Sequence, residues 1–304
     1  MNLHALKILK LFGLGAGRIQ KPPDAMLAQV YLIDDLYILR SRPHEKDTSA
    51  RFAAECELCD KVAELTGYCF PKYERSASGD CFVVDQGHFW TLHRIIPGRP
   101  LGTWFELHLI DPSVSRRVLK TLNRLHTMTT GFFDEAITDR RRLLGLVTPS
   151  MAEARDFLSA QALDRLMLAF DRTEKHCRSY PADMGCFVHG DFHHGNILAQ
   201  NGRIVGFIDL DWCRVGTFYE DFAFSLMMML RDYKTWSYEF QWPLYDSILD
   251  DYGFKGDAGL LNDHLILYAL FDCTVFKSST FENATAFFEY QKQFLEAVCQ
   301  ANMS

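Results

Sequence analysis

The chain has 304 residues, and its hydrophobic fraction of 48% and charged fraction of 23% exclude a disordered or fibrous protein. Its formal net charge of −7 argues against binding to nucleic acid or to an anionic membrane, because both need a basic surface. No apolar run approaches the ~20 residues that cross a bilayer, so no membrane contact is expected.

The start of the chain and its cysteines bear on where the protein works. Residues 1–12 combine an apolar pattern with Lys7 and Lys10, which predicts a short amphipathic helix and not a secretion signal. Nine cysteines are an odd number, so we expect reduced thiols and a cytoplasmic location. Cys56 and Cys59 form a C-x-x-C motif within a helical pattern, and without a second such motif they are expected to be buried thiols.

The first 95 residues are typical of a small β-rich part. Strands are predicted at residues 28–33, 37–40, 81–85 and 88–94. Tight turns at Asp34-Asp35 and at Gly87 join these strands in two hairpins. One helix interrupts them at residues 49–65, with Gly67 just past its end.

The rest of the chain is mainly helical. Two prolines around a glycine in residues 95–100 predict a connector. Helices are predicted at residues 112–126, 151–177, 221–233, 243–252, 260–276 and 284–299. A short β-rich island at residues 186–215 lies between the second and third of them. We therefore predict an α+β protein with two domains, at residues 1–96 and 97–304.

The β-rich island carries the residues that suit chemistry. The stretches FVHGDFHHGNIL and IVGFIDLDW contain apolar β-segments. The loops at the ends of these segments hold Asp191, Asn196 and Asp209. A carboxylate can take the proton of an attacking hydroxyl, and carboxylate and amide oxygens hold Mg²⁺ on phosphates. Asp191 and Asn196 are five residues apart in one loop, and Asp209 can reach the metal from across the hairpin. The island predicts a site for phosphoryl transfer.

This segment, with His-x-Asp, Asn five residues later and Ile-Asp after a short hairpin, resembles the catalytic segment of the aminoglycoside/choline phosphotransferase (APH) family. The resemblance implies a two-lobed protein-kinase-like fold, in which a small N-terminal antiparallel β lobe with one helix binds the nucleotide. A larger helical C-terminal lobe would hold the catalytic loop and the acceptor pocket. The implied cofactors are Mg²⁺ and ATP or GTP as phosphate donor.

The same resemblance assigns roles to individual residues of the island. It implies that Asp191 is the catalytic base and that Asn196 and Asp209 are the Mg²⁺ ligands. His189 would brace the loop by hydrogen bonds without taking part in chemistry. Asp221 matches a family aspartate that ties the following helix to the loop, and a plain helix N-cap would give nearly the same expectation.

The nucleotide-binding part departs from the family pattern. Arg40 stands where the family usually has a lysine that holds the α- and β-phosphates, and an arginine still offers a permanent charge. Glu55 stands where the family has the helix glutamate that pairs with that cation. The glycines within residues 13–17 lie early, and residues 21–26, which should cover the phosphates, hold two prolines and no glycine.

Acceptors within the family include aminoglycoside-like antibiotics, amino alcohols, homoserine and sugars. Acidic and aromatic side chains follow the island at Glu220, Asp232, Trp236, Tyr238, Glu239, Trp242, Asp246, Asp250, Asp251, Asp263 and Asp272. They suit a cationic acceptor, although ordinary solvated helix faces would look the same. Asp211 would share a strand face with Asp209, where it could orient the acceptor hydroxyl or satisfy backbone.

Three other functions fit parts of the sequence. Arg40 and the irregular glycine stretch are compatible with a pseudokinase or nucleotide-sensing module, although such a module has no reason to keep Asp191, Asn196 and Asp209 together. A protein Ser/Thr kinase of the same superfamily is a second alternative. The G-D-x-H-H stretch also resembles part of a metallophosphoesterase, but the other motifs of that class are missing. The sequence leaves the oligomeric state open.

Overall fold

The computed structural model consists of two compact units. It describes residues 3–15, 17–22, 29–43, 49–102, 111–132, 134–139, 141–181, 184–231, 240–251, 256–279 and 284–301. The first unit comprises Met1–Arg99, Asp134–Ile137 and Leu198–Ile208, and the second comprises Pro100–Phe133, Thr138–Ile197 and Asp209–Ser304. The domain boundary that we place at residue 96 stays a prediction.

An antiparallel sheet forms the framework of the first unit. Its strands are β1 (Ile19–Gln20), β2 (Gln29–Ile33), β3 (Tyr37–Pro43), β4 (Val83–Asp85) and β5 (His88–Arg94). They lie in the order β1-β2-β3-β5-β4. Asp34 and Asp35 have φ of 52° and 56°, and Gln86 and Gly87 have φ of 49° and 73°. Two successive left-handed residues are the geometry of a type I′ turn, so both predicted hairpins are confirmed.

Each face of this sheet is covered by one helix. On one face, α1 (Leu3–Leu11) buries Ile8 and Leu9 against Leu39 and Trp90. On the other face, α2 (Ser49–Thr66) buries Phe52 and Cys56 against Phe89. Side chains of a strand alternate between faces, which is why the neighbouring residues Phe89 and Trp90 serve different clusters. The small unit thus has α1 in addition to the one helix expected of the β lobe.

Helices and one small ribbon build the second unit. Its helices are α3 (Pro112–Thr129), α4 (Arg142–Ala154), α5 (Ala160–Ser179), α6 (Phe218–Met229), α7 (Trp242–Asp251), α8 (Ala258–Lys277) and α9 (Ala284–Ala301). Its ribbon consists of β7 (Cys186–Val188) and β10 (Arg214–Gly216), which pair antiparallel. A separate sheet, which belongs mostly to the first unit, consists of β6 (Arg99–Pro100), β8 (Ile197–Gln200) and β9 (Arg203–Phe207). Helix α8 packs against α4, α5, α6 and α9, so it forms the centre of the helical core.

Two predicted helix boundaries are wrong. The helix expected at residues 151–177 is two helices, because α4 ends at Ala154 and Ser159 caps α5 by accepting from the Ala162 N–H at 3.3 Å. Helix α4 also begins well before Pro149, which lies inside it at the cost of one backbone hydrogen bond. Helix α6 begins at Phe218 and not at Asp221, because Thr217 and Glu220 form a capping box.

All nine cysteines lie among the described residues and are free thiols. Cys56 and Cys59 are buried in α2, as predicted. Among the described residues, no helix is long and apolar enough to span a membrane.

Candidate active site

The loop at residues 189–196 follows β7, whose three residues are all buried. Its geometry depends on Gly190, which has a φ of 80°. A Cβ atom at this position would lie 2.5 Å from the carbonyl oxygen of Trp212, which is too close for any residue that has a side chain. Because glycine alone fits here, the 189–196 loop can pack directly on the 209–213 segment.

Asp221 of α6 anchors the start of the 189–196 loop. Its carboxylate accepts the backbone N–H groups of His189 at 2.6 Å and Gly190 at 2.7 Å. A third contact, at 3.2 Å, joins the carboxylate to Nε2 of His126 on α3. Burial alone would raise the pKa of Asp221, but the His126 contact and the backbone donors hold it below its usual value. Asp221 lies inside the first turn of α6, so it is an anchor for the loop and not the cap of its own helix.

Asp191 and Asn196 meet inside the loop. The Asn196 Nδ2 group donates to the backbone oxygen and to Oδ2 of Asp191, both at 2.9 Å. The Asp191 side chain is 25% exposed, whereas Asn196 is buried. Since the amide nitrogen of Asn196 is used on Asp191, its Oδ1 atom is the part that can serve a ligand. The two residues that the sequence places five apart are therefore in direct contact.

His189 is completely buried beneath the loop. Its Nδ1 atom accepts the Asp191 N–H at 3.3 Å, which fixes the backbone of Asp191. Burial lowers the pKa of His189, although the charges of Asp221, Asp191 and Asp209 act in the opposite direction. The same interactions show that Asp209 lies within electrostatic reach of the loop.

Asp209 directly precedes a turn and has a φ of 62°. This left-handed conformation is uncommon for a residue with a side chain, and such strain is concentrated at functional sites. Asp211 lies in the following turn, because β9 ends at Phe207. The expectation that Asp209 and Asp211 share a strand face is therefore wrong.

A buried ion pair supports the 209–213 segment. Arg214 donates from Nη1 to the Trp212 carbonyl at 2.8 Å, and its Nη2 binds Glu220 of α6. Both side chains are almost fully buried. Burial opposes the charge of Arg214, but the neighbouring Glu220 carboxylate raises the pKa of the guanidinium above its usual value. Helix α6 thus anchors both loops, through Asp221 to one and through Glu220 to the other.

The donor set fits a hard divalent cation. The amide oxygen of Asn196 and the carboxylate of Asp209 are oxygen ligands of the type that Mg²⁺ prefers, and Mg²⁺ commonly takes its other ligands from phosphates and water. Among the described residues, no three His, Cys, Asp or Glu side chains form a metal-binding cluster.

In the first unit, the cation beside Glu55 is Arg42. Its two terminal nitrogens donate to the two carboxylate oxygens of Glu55 at 3.2 and 2.7 Å, and its guanidinium lies 3.9 Å from the centre of the Phe52 ring. From the sequence we predict Arg40 as the cation that pairs with Glu55, and that pairing stays a prediction beside the observed Arg42–Glu55 pair. Arg40 is on the same face of β3, because alternate residues of a strand share a face. The phosphate-binding role of Arg40 stays a prediction.

The candidate acceptor residues separate into three groups. Residues 232–239, which include Asp232, Trp236, Tyr238 and Glu239, lie outside the described residues. Glu220 and Asp263 are engaged elsewhere, because they form buried ion pairs with Arg214 and with Arg165. Among the remaining candidates, Asp272 interacts electrostatically with Asp191.

Three side chains that support the 189–196 loop or the 209–213 segment were not predicted from the sequence. The first is His126 of α3, whose ring contacts Asp221. Ser225 of α6 donates its hydroxyl to the Phe192 carbonyl at 2.8 Å. No sequence pattern indicated the role of Arg214. The Thr217-x-x-Glu220 pattern, in contrast, is a capping box that would have placed the start of α6 correctly.

Comparisons with known proteins agree on one family and one fold. The model of the phosphotransferase enzyme family matches residues 18–261. A microcompartment-associated aminopropanol kinase is similar, with a TM-score of 0.71 and 16% identity over 99% of this chain and 96% of that one. Amicoumacin kinase hAmiN, solved with AMP-PNP and Ca²⁺, gives a TM-score of 0.68 and 16% identity over 97% and 93% of the two chains.

A third similar structure is the GDP and kanamycin complex of APH(2")-IIIa, with a TM-score of 0.68 and 16% identity over 100% of both chains. No match was found among curated protein sequences. At these identities the solved structures establish the fold, and the family model establishes the family.

Proposed function

Because this chain belongs to the phosphotransferase enzyme family, we propose that it transfers the γ-phosphate of ATP or GTP to a hydroxyl group of a small molecule. The family match and the shared fold confirm the APH resemblance, the kinase-like α+β fold and the assignment as a kinase. The nucleotide, the metal and the acceptor belong to the proposal.

The observation that carries the proposal is the contact between Asn196 and Asp191. The amide of Asn196 donates to Asp191 Oδ2, so the carboxylate is held with Oδ1 turned away from that bond. Asp191 Oδ1 would accept the proton of the acceptor hydroxyl as the new oxygen–phosphorus bond forms. The bond between the γ-phosphorus and the β–γ bridging oxygen breaks in the same transfer, and the nucleoside diphosphate leaves.

We propose that Asn196 Oδ1 and the Asp209 carboxylate would hold Mg²⁺. When bound, the ion supplies positive charge that neutralises the phosphate oxygens. Around it, His189 fixes the Asp191 backbone and Asp221 fixes the two residues before it. This anchoring positions the base before the acceptor arrives, and positioning is the main protein contribution to phosphoryl transfer.

The acceptor is proposed as a small molecule with a hydroxyl group. The similar structures are named for aminopropanol and amicoumacin or contain kanamycin, which supports a test of amino alcohols and aminoglycosides first. Homoserine and sugars complete the set that the APH resemblance implies.

The test is transfer of labelled phosphate. We expect the protein, incubated with γ-labelled ATP or GTP and Mg²⁺, to label at least one compound among aminoglycosides, amino alcohols, homoserine and hexoses. Chelation of Mg²⁺ with EDTA should abolish the transfer. Asp209→Ala should weaken binding of the Mg-nucleotide in a calorimetric titration, because the triphosphate loses a metal ligand.

The other outcomes separate the alternatives. Label on a peptide mixture, with none on the small molecules, would indicate a protein kinase. Nucleotide binding without transfer to any acceptor would indicate a nucleotide-sensing module. The absence of both binding and transfer would contradict the proposed function.

A further inference from the structure

His193 lies between the two residues that meet in the 189–196 loop. Its side chain is only 3% exposed. The Nε2 atom lies 3.2 Å from Asn196 Nδ2 and 3.7 Å from Asp191 Oδ1. The Nδ1 atom accepts the Gly195 N–H at 3.0 Å. One buried imidazole therefore contacts both the proposed base and a proposed metal ligand.

The approach of the ring depends on Gly195. A Cβ atom at residue 195 would lie 2.7 Å from the His193 Cε1 atom, so a side chain there would displace the imidazole. The backbone of His193 is fixed as well, because the Asn196 N–H donates to the His193 carbonyl oxygen at 2.9 Å. The loop is thus built around this side chain.

The hydrogen-bond pattern determines which nitrogen carries the ring proton. A backbone N–H can only donate, so His193 Nδ1 must accept from Gly195 and the proton is on Nε2. An Nε2–H group cannot also accept from the Asn196 amide, which is itself a donor. Asp191 Oδ1 is an acceptor 3.7 Å from Nε2, and a small rotation of either side chain would bring the two atoms within hydrogen-bond distance.

We infer that His193 is a positioning residue that holds Oδ1 of Asp191 through Nε2–H while Asn196 holds Oδ2. This inference rests on the proposed function. With a donor on each oxygen, the plane of the carboxylate is fixed, and a remaining lone pair of Oδ1 is directed at the acceptor hydroxyl. The role differs from that of His189, whose Nδ1 atom accepts the backbone N–H of Asp191.

Two substitutions separate the two nitrogens of the ring. In His193→Gln, the amide group reaches the Nε2 position and can donate to Asp191. In His193→Asn, the shorter side chain reaches only the Nδ1 position, where its oxygen can accept the Gly195 N–H. We expect His193→Asn to lower kcat by about 10- to 100-fold with an unchanged nucleotide Kd, and His193→Gln to recover most of the kcat.

A purely structural role would give the reverse order, because His193→Asn keeps the contact that closes the loop. Equal activity of His193→Asn and the wild type, or a greater loss in His193→Gln, would overturn the inference. A wild-type protein without any transfer activity would contradict the proposed function instead.

A second measurement does not depend on turnover or on either variant. In the ¹⁵N-labelled wild-type protein, long-range proton–nitrogen correlation spectra distinguish the two imidazole tautomers. We expect the His193 ring proton on Nε2. A proton on Nδ1 would overturn the inference even if the variants did not fold.

Discussion

Asp272 is a buried carboxyl group close to the proposed base. Its side chain is 12% exposed, and its Oδ2 atom accepts from Gln291 at 3.4 Å and lies 3.9 Å from Arg231. Burial raises the pKa of Asp272 to about 7, with Asp191 adding to the rise and Arg231 opposing it. Two carboxylates that share a low-dielectric region disfavour each other's charge. Asp272 is therefore a buried group that can gain or lose a proton near neutral pH.

This raised pKa predicts a pH-dependent stability. The folded state binds the Asp272 proton more tightly than the unfolded state, so the contribution of Asp272 to stability falls as pH rises from about 4 to about 7. Asp272→Asn removes this titration. We expect urea unfolding at pH 8 to show the variant more stable than the wild type, and at pH 5 to show a clearly smaller gain.

The matched control is Asp164→Asn on an exposed position of α5. It should change the free energy of unfolding by less than about 0.5 kcal/mol at both pH values. If the free energies of unfolding of Asp272→Asn and the wild type differ by the same amount at pH 5 and pH 8, the raised pKa of Asp272 is contradicted.

At the scale of elements, the α2–β3 ion pair shows how the first unit is held. Arg42 is 11% exposed and Glu55 only 2%, and the guanidinium also stacks on Phe52 of the same helix. Removal of one partner from such a pair leaves a buried charge without compensation. The pair therefore fixes α2 to the sheet, whatever its part in nucleotide binding.

We predict that Arg42→Ala lowers the free energy of unfolding by roughly 3–5 kcal/mol, because the Glu55 carboxylate stays buried. Arg40→Ala is the comparison on the same strand face, and it should leave stability nearly unchanged but raise the nucleotide KM. Thermal unfolding and steady-state kinetics of the two variants measure both effects. An Arg42→Ala protein as stable as the wild type would contradict the role given to the pair.

Local sequence signals predicted the elements better than their boundaries. The hairpins at Asp34-Asp35 and Gly87 were predictable because turn chemistry is local. The break between α4 and α5 was missed, because the helical periodicity continues across it and Pro149, a usual breaker, lies inside a helix. The start of α6 was missed although Thr217 and Glu220 carried a local signal.

In the candidate site, residues close together in the sequence were predicted and contacts between distant residues were not. Asp191, Asn196 and Asp209 were found from spacing, since they lie in one short island. The supports of the loop come from distant parts of the chain: His126 contacts Asp221 across 95 residues, and Ser225 bonds Phe192 across 33. The Arg42–Glu55 pair was not predicted, because Arg40 and Arg42 share a strand face and spacing alone cannot separate them.

At the scale of the whole molecule, the residues discussed above divide between the two compact units. The unit with the antiparallel sheet contains the Arg42–Glu55 pair and Arg40, whose phosphate-binding role stays a prediction. The helical unit contributes Asp191, Asn196 and Asp209, and its helix α6 anchors the loops that carry them. The family match covers residues 18–261 and so includes parts of both units.

The central claim is that Asp191 acts in the transfer step and not in nucleotide binding. The measurement is a comparison of kcat and of the Mg-nucleotide Kd between the wild type and Asp191→Asn, with an acceptor that the labelling assay identifies. We predict that kcat falls by about 10²- to 10⁴-fold while Kd changes by less than about twofold, because the base works only as the hydroxyl attacks. An Asp191→Asn protein that retains most of its turnover would contradict the account.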